Sequence, residues 1–170
     1  AMPDEPLIFV EVALTKGVAG SVQDLLSETR EGMRAEDADA AVFYSISNCQ
    51  AGLASISFGN SLIKQVAADL SLELPGVRNF VTLSPIPGLS AWAGEVGPVG
   101  LPRDPVARLH LGNGARVHNV HLGADISDRG RSQSFGIMVN YLYEMRRVTQ
   151  TNEMFANDRQ NAMTTAIRAW

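Results

Sequence analysis

Two short stretches concentrate the residue types that do acid–base chemistry. FVTLSPIPGL (80–89) begins as a strand, with Phe80, Val81 and the β-branched Thr82, and then meets Pro85 and Pro87 separated by one residue. Proline has no N–H to give to a ladder, so pairing must end on at least one side, and Ser84 stands where the strand lets go. VARLHLGNGARVHNVHL (106–122) carries the chain's three histidines, His110, His118 and His121. A zinc reading of the three is poor: on a strand, His118 and His121 point to opposite faces, and no carboxylate or thiol stands beside them at ligand spacing. They read as surface or rim residues, with no metal site. His110, between Leu109 and Leu111, reads equally as a core histidine and as a catalytic one.

QAGLASISFGNSLIK (50–64) offers a different chemistry. Small residues at Gly52, Ala54, Ser55, Ser57 and Gly59 let a ligand approach the backbone, and a following helix would aim its free N–H groups at an anion such as a pyrophosphate. The same residues also permit tight strand-to-helix packing, and the pattern leaves both readings open. Neither a Walker lysine pattern nor GxGxxG is present, which points away from nucleoside triphosphates and nicotinamide cofactors. Cys49, the single cysteine, has nothing near it to make it a nucleophile and reads as buried. Tyr141, Tyr143 and Trp92 read as packing residues. Asp125 and Asp128 read as the start of a helix, with Ser127 or Asp128 as its cap.

The elements that must position these residues can be read from periodicity. PLIFVEVAL (6–14), almost continuously apolar, predicts a central strand covered on both faces. Ser21, with Asp24 three residues on, opens a helix, and AVFYSIS (41–47) is a second strand. From Ser57, the spacing of Leu62, Ile63, Val66, Ala67 and Leu70 predicts a helix ended by Pro75-Gly76. AWAGEVGPVGLPRDP reads as a loop. VARLHL and ARVHNVHL, flanking Asn113-Gly114, predict a hairpin. Phe135, Met138, Leu142 and Met145 predict a helix over about 131–148, followed by a second near the end. A mixed α/β single domain over residues 1–170 is the natural class.

Composition narrows the function classes. The 170 residues are 45% hydrophobic, enough for one domain with a core. A formal net charge of −4 with no Lys/Arg run argues against a nucleic-acid partner. No apolar run reaches membrane-spanning length, and no signal sequence opens the chain, where Ala1-Met2 reads as a tag remnant. The lone cysteine favours a reducing compartment, so the expected location is cytoplasmic. Self-association is left open.

Read together, PLIFVEVALTKGVAGSVQDLL, AVFYSISNCQAGLASISFGNSLIK, ELPGVRNFVTLSPIPG, DPVARLHLGNGARV and GIMVNYLYE resemble the catalytic domain of the malonyl-CoA decarboxylases, in order from Pro6 to about Glu144. The resemblance implies a GNAT-like α/β fold in which two neighbouring parallel strands splay apart and a pantetheine arm lies in the gap. It implies Ser84 and His110 as the catalytic pair, and Ala54, Ser55, Ile56, Ser57, Phe58, Gly59 and Asn60 as the cradle for coenzyme A. It also implies malonyl-CoA as substrate and acetyl-CoA as product, with no metal or organic cofactor. Three departures stand out. The family's preceding helical domain is absent, which fits an excised catalytic domain or a short relative. Ser84 and His110 are only 26 positions apart, so the segment over 90–105 is shortened. Ser55 stands where relatives often have glycine. A GNAT-type acyltransferase and a non-catalytic acyl-CoA-binding module are the alternatives.

Overall fold

The computed structural model describes residues 8–29, 31–48, 58–92 and 103–158. Ile8–Thr15 (β1) pairs antiparallel with Ala40–Asn48 (β2) and with no other strand among the described residues. The apolar run at the start of the chain is therefore an edge strand and not the central one its composition predicts; Phe9 is exposed. Between them, Ser21 caps Val22–Leu26 (α1), its hydroxyl accepting from the Asp24 N–H as the capping box predicts. This helix stops after little more than one turn.

The core is built on β2. Its residues alternate between two layers: Ala41 and Phe43 face one, Val42 the other, and all three are fully buried. Burying a phenylalanine of this kind contributes about 2–3 kcal/mol. Phe58–Glu73 (α2) covers the first layer with Ile63 and Ala67, at the spacing read from sequence, and ends before Pro75. Asn79–Thr82 (β3) then runs parallel to β2, from Ala40↔Asn79 to Phe43↔Thr82. Ser84–Pro85 (β4) continues the line but pairs with a different neighbour, and Leu89–Trp92 (α3) follows.

Two expectations fail after residue 104. The segment with His110 is not the first strand of a hairpin but a helix, Pro105–Gly112 (α4). Asp104 caps it by accepting from the Ala107 N–H at 2.6 Å, and Pro105 occupies a first-turn position where its missing N–H costs nothing. Ala107, His110 and Leu111 form the buried stripe. Asn113 and Gly114 turn the chain into Arg116–His121 (β5), as one strand of the expected hairpin.

The helix expected over about 131–148 is a short helix and a strand, Asp128–Ser134 (α5) and Met138–Tyr143 (β6), and the second helix expected near the end is Val148–Asp158 (α6). Ser127 caps α5, accepting from the Gly130 N–H. Phe135 and Gly136, both at positive φ (54° and 75°), end it. β6 then pairs with β3, β4 and β5, giving the order β1-β2-β3-β6-β4 with β5 also on β6. Val139, Tyr141 and Tyr143 face the α2 and α4 layer, whereas Met138 faces the layer of Leu25 and Val81. A period of two was hidden under apolar residues that also happen to fall at helical spacing. No helix among the described residues is long and apolar enough to cross a membrane.

Gly114 fixes where α4 ends. Its φ is +82°, and a Cβ there would run into the backbone carbonyl of Val148 at the start of α6. Gly17 has a similar φ, +72°, with nothing within 4 Å of a Cβ. Gly114→Ala should therefore cost about 2 kcal/mol or more, a fall in Tm of roughly 4–8 °C, while Gly17→Ala costs about 1 kcal/mol. Thermal unfolding of the two variants checks this; equal shifts would remove the packing argument at Gly114.

Candidate active site at the parting of β2 and β3

The site begins with the two prolines. The bond from the Leu83 N–H to the Phe43 carbonyl, 2.9 Å, continues the β2–β3 pairing one step past its last register pair. Beyond it β2 bulges: Glu11 opposes Ser45 and Val12 opposes Phe43, leaving Tyr44 as the extra residue, and such a bulge bends a strand. Ser84 and Pro85 instead pair with Val139 and Met138 of β6. Pairing thus ends on one side of the FVTLSPIPGL strand only, and a cavity of about 370 Å³ opens there. Its walls include Phe43, Ile46, Leu83 and Val106, with Ser84 and His110 among them.

The structure brings the two sequence-predicted residues together. Ser84 Oγ lies 3.1 Å from His110 Nε2, and both residues are buried. Helix α4 carries His110 over the sheet, where its ring stacks on Tyr141 at a centroid distance of 4.7 Å. Three further residues, not singled out for the site from sequence, complete a hydrogen-bonded chain. Ser84 Oγ donates to Thr82 Oγ1 at 2.9 Å, and His110 Nδ1 lies 2.9 Å from the Tyr143 hydroxyl. The Asn113 side chain also hydrogen-bonds Tyr143.

The direction of the protons follows. Ser84 has one hydroxyl proton and gives it to Thr82, so it accepts from His110, which must carry its proton on Nε2. Nδ1 is then an acceptor and takes the Tyr143 proton. Burial holds the ring neutral, pushing the His110 pKa down from 6.5 to about 3. Burial likewise raises the Tyr143 phenol, opposed by the Asn113 hydrogen bond. Thus no member of the chain is charged near neutral pH.

Thr82 also repairs the sheet. Between Val81↔Leu142 and Ser84↔Val139, the Tyr141 N–H bonds to Thr82 Oγ1 at 3.3 Å, and the Asn140 amide donates to the Thr82 carbonyl at 2.9 Å. Sequence signals for these residues existed: Thr82 and Ser84 share a strand face at period two, as do Tyr141 and Tyr143 once β6 is a strand.

The remaining predicted residues are placed as follows. Residues 54–57 of the coenzyme A cradle and Cys49 lie outside the described residues; Phe58, Gly59 and Asn60 form the first turn of α2. His121 Nε2 lies 2.5 Å from Asn140 Oδ1, and His118 sits at a bulge in β5. Among the described residues, no three His, Cys, Asp or Glu side chains gather as a metal site.

His110 makes stability depend on pH. Above pH 6.5 the ring is neutral folded and unfolded. Between 6.5 and about 3 the unfolded chain binds a proton that the native ring refuses, so stability falls as pH falls, by up to about 1.4 kcal/mol per pH unit. Urea unfolding of the wild type and His110→Gln from pH 7.5 to 4.5 should give curves that diverge only below 6.5, the wild type losing more. Parallel curves would show that His110 titrates normally.

Comparison with known proteins shows the family. A family profile, the malonyl-CoA decarboxylase C-terminal domain, matches residues 1–97 and 93–170. Mitochondrial malonyl-CoA decarboxylase of Anser anser anser is 30% identical over 84% of this chain and 42% of its own length. The crystal structure of malonyl-CoA decarboxylase from Rhodopseudomonas palustris, 40% identical, superposes with a TM-score of 0.89 over 98% of this chain and 50% of that one. A GNAT-like decarboxylase in complex with isobutyryl-CoA, 23% identical, superposes at a TM-score of 0.66 over 86% of this chain and 76% of its own, which bears on the fold alone. The chain spans about half the length of the malonyl-CoA decarboxylases it matches. With its GNAT-like sheet and matches along its length, the chain belongs to the family of malonyl-CoA decarboxylase C-terminal domains.

Proposed function

We propose that this chain converts malonyl-CoA to acetyl-CoA and carbon dioxide. The observation that carries the reading is the buried, neutral Ser84–His110 pair at the wall of a cavity opened between parallel strands. The pantetheine arm enters between β2 and the Ser84–Pro85 segment, and residues 54–60, ending in the first turn of α2, receive the pyrophosphate. The C–C bond to the carboxylate breaks, its electron pair moves into the thioester carbonyl, and carbon dioxide leaves. The thioester is its own electron sink, so the chemistry calls for neither metal nor organic cofactor.

The enolate formed must be held at oxygen and protonated at carbon. With substrate bound, Ser84 turns its hydroxyl proton from Thr82 to the reacting group, and His110 Nε2–H is the proton donor to carbon, with the proton replaced from solvent over the cycle. Tyr143 is a positioning residue, fixing the tautomer that turns Nε2–H toward Ser84. Apolar walls limit water around the reacting group, and the neutral Ser84–His110 pair leaves the migrating charge without a rival anion. The lone cysteine and the acyl-CoA substrate fit a cytoplasmic setting.

Incubation of the purified protein with malonyl-CoA, followed by mass spectrometry, should give acetyl-CoA without an acceptor and in the presence of a chelator. His110→Ala and Ser84→Ala should each lower kcat by about a hundredfold or more, and the double variant should be little worse than the poorer single. Coenzyme A released only when an amine is added would replace decarboxylation with acyl transfer. Effects that multiply would break the pair into two independent residues.

A further inference from the structure

Among the described residues of the cavity wall that holds Ser84 and His110, one is a formally charged residue type: Arg129, in the first turn of α5. It is exposed, and its guanidinium makes no hydrogen bond or ion pair with the described residues. Its backbone, by contrast, is tightly held. Gly130 beside it packs against Asp125 so closely that a Cβ would strike that carboxylate. The far end of α5 is tied to the segment after SPIPG, where Ser90 Oγ donates to the Ser132 carbonyl at 2.6 Å. Asp125 is the near anion. Burial alone would raise its carboxyl, but hydrogen bonds from Ser127 and the charge of Arg129 bring it below its ordinary value. Asp125 Oδ1 accepts from the Ser127 N–H, so that bond needs none of the guanidinium's donors.

A cation whose donors are unengaged among the described residues, on a fixed backbone, at the wall of a cavity with no other charged side chain among its described lining, fits an anionic group on the ligand. The geometry points to Arg129 as the residue that recognises the free carboxylate of the malonyl group, and so distinguishes a dicarboxylic acyl thioester from a simple acyl thioester. This rests on the proposed reading of the cavity. The guanidinium's planar fork matches a carboxylate. The phosphates of coenzyme A are the other anions available, but residues 54–60, not the wall shared with Ser84 and His110, are proposed for them.

The electrostatics set a distinctive kinetic signature. Carbon dioxide leaves uncharged, so an ion pair to the carboxylate weakens as the C–C bond breaks. Arg129 therefore stabilises the bound substrate more than the transition state, and its loss should appear in KM and not in kcat. Arg129→Gln should raise KM for malonyl-CoA about tenfold, with kcat unchanged or higher, and Arg129→Lys should recover part of the loss. Calorimetry in a Ser84→Ala background, where turnover is slowed about a hundredfold or more, should show malonyl-CoA binding weakened by a similar factor to KM and acetyl-CoA binding within about twofold of the parent.

Equal weakening of malonyl-CoA and acetyl-CoA would overturn the proposal and give the cation to the phosphates. No change for either would leave Arg129 a solvated surface charge. A fall in kcat at constant KM would also overturn it. Should the wild-type protein bind malonyl-CoA without decarboxylating it, the proposed function fails while the calorimetric comparison still decides the role of Arg129.

Discussion

Two parallel strands that share a ladder as far as Phe43 and Leu83 and then separate are the constraint on which the rest of this structure depends. Backbone groups in a protein interior must be paired, so a sheet cannot simply open. Here the opening is made tolerable from several sides. Pro85 has no N–H to leave unpaired; β2 keeps β1 on its other edge; and a bulge at Tyr44 bends β2 at the point of parting. On the far side, β6 holds Ser84 and Pro85 in line with β3, so one edge of the segment is free while the other is fixed.

The site inherits its electrostatic character from that architecture. A histidine delivered from a covering helix into the core must be neutral, because burial penalises the imidazolium. Its two nitrogens then need one donor and one acceptor, which Tyr143 and Ser84 supply. A fold that exposed the ring would let it charge at mildly acidic pH. The depth of α4 in the structure, set by Ala107 and Leu111, is thus what defines His110 as a hydrogen-bond donor at Nε2.

Much of this was legible in the sequence, and the misreadings were specific. The prolines of SPIPG correctly announced a one-sided end to pairing, and the helix after residue 57 followed its periodicity. Around His110, alternating apolar residues suggested a strand. Asp104-Pro105 is a helix-start signal of equal strength, and the cap decided the matter. In GIMVNYLYE the apolar positions satisfy a helical stripe and a doubly buried strand alike; only the partners on both edges select the strand, and these are remote in sequence. Tyr143 and Thr82 were missed for the same reason. Their importance comes from facing His110 and Ser84, a fact of tertiary packing that no local pattern contains. Residues 54–57, read as an anion cradle, lie outside the described structure.

Thr82 carries a consequence beyond geometry. One oxygen, Oγ1, closes the gap in the ladder for Tyr141 and also receives the hydroxyl proton of Ser84. Valine would match its shape and threonine's β-branching, yet would leave a buried amide without a partner and release the serine rotor in the same stroke. The chain's ability to fold and the orientation of the Ser84 hydroxyl are therefore not separately adjustable at this position. A redesign that reshaped the cavity wall could exchange one apolar side chain for another at Ile46 or Val106, but at residue 82 its alphabet contracts to serine and threonine.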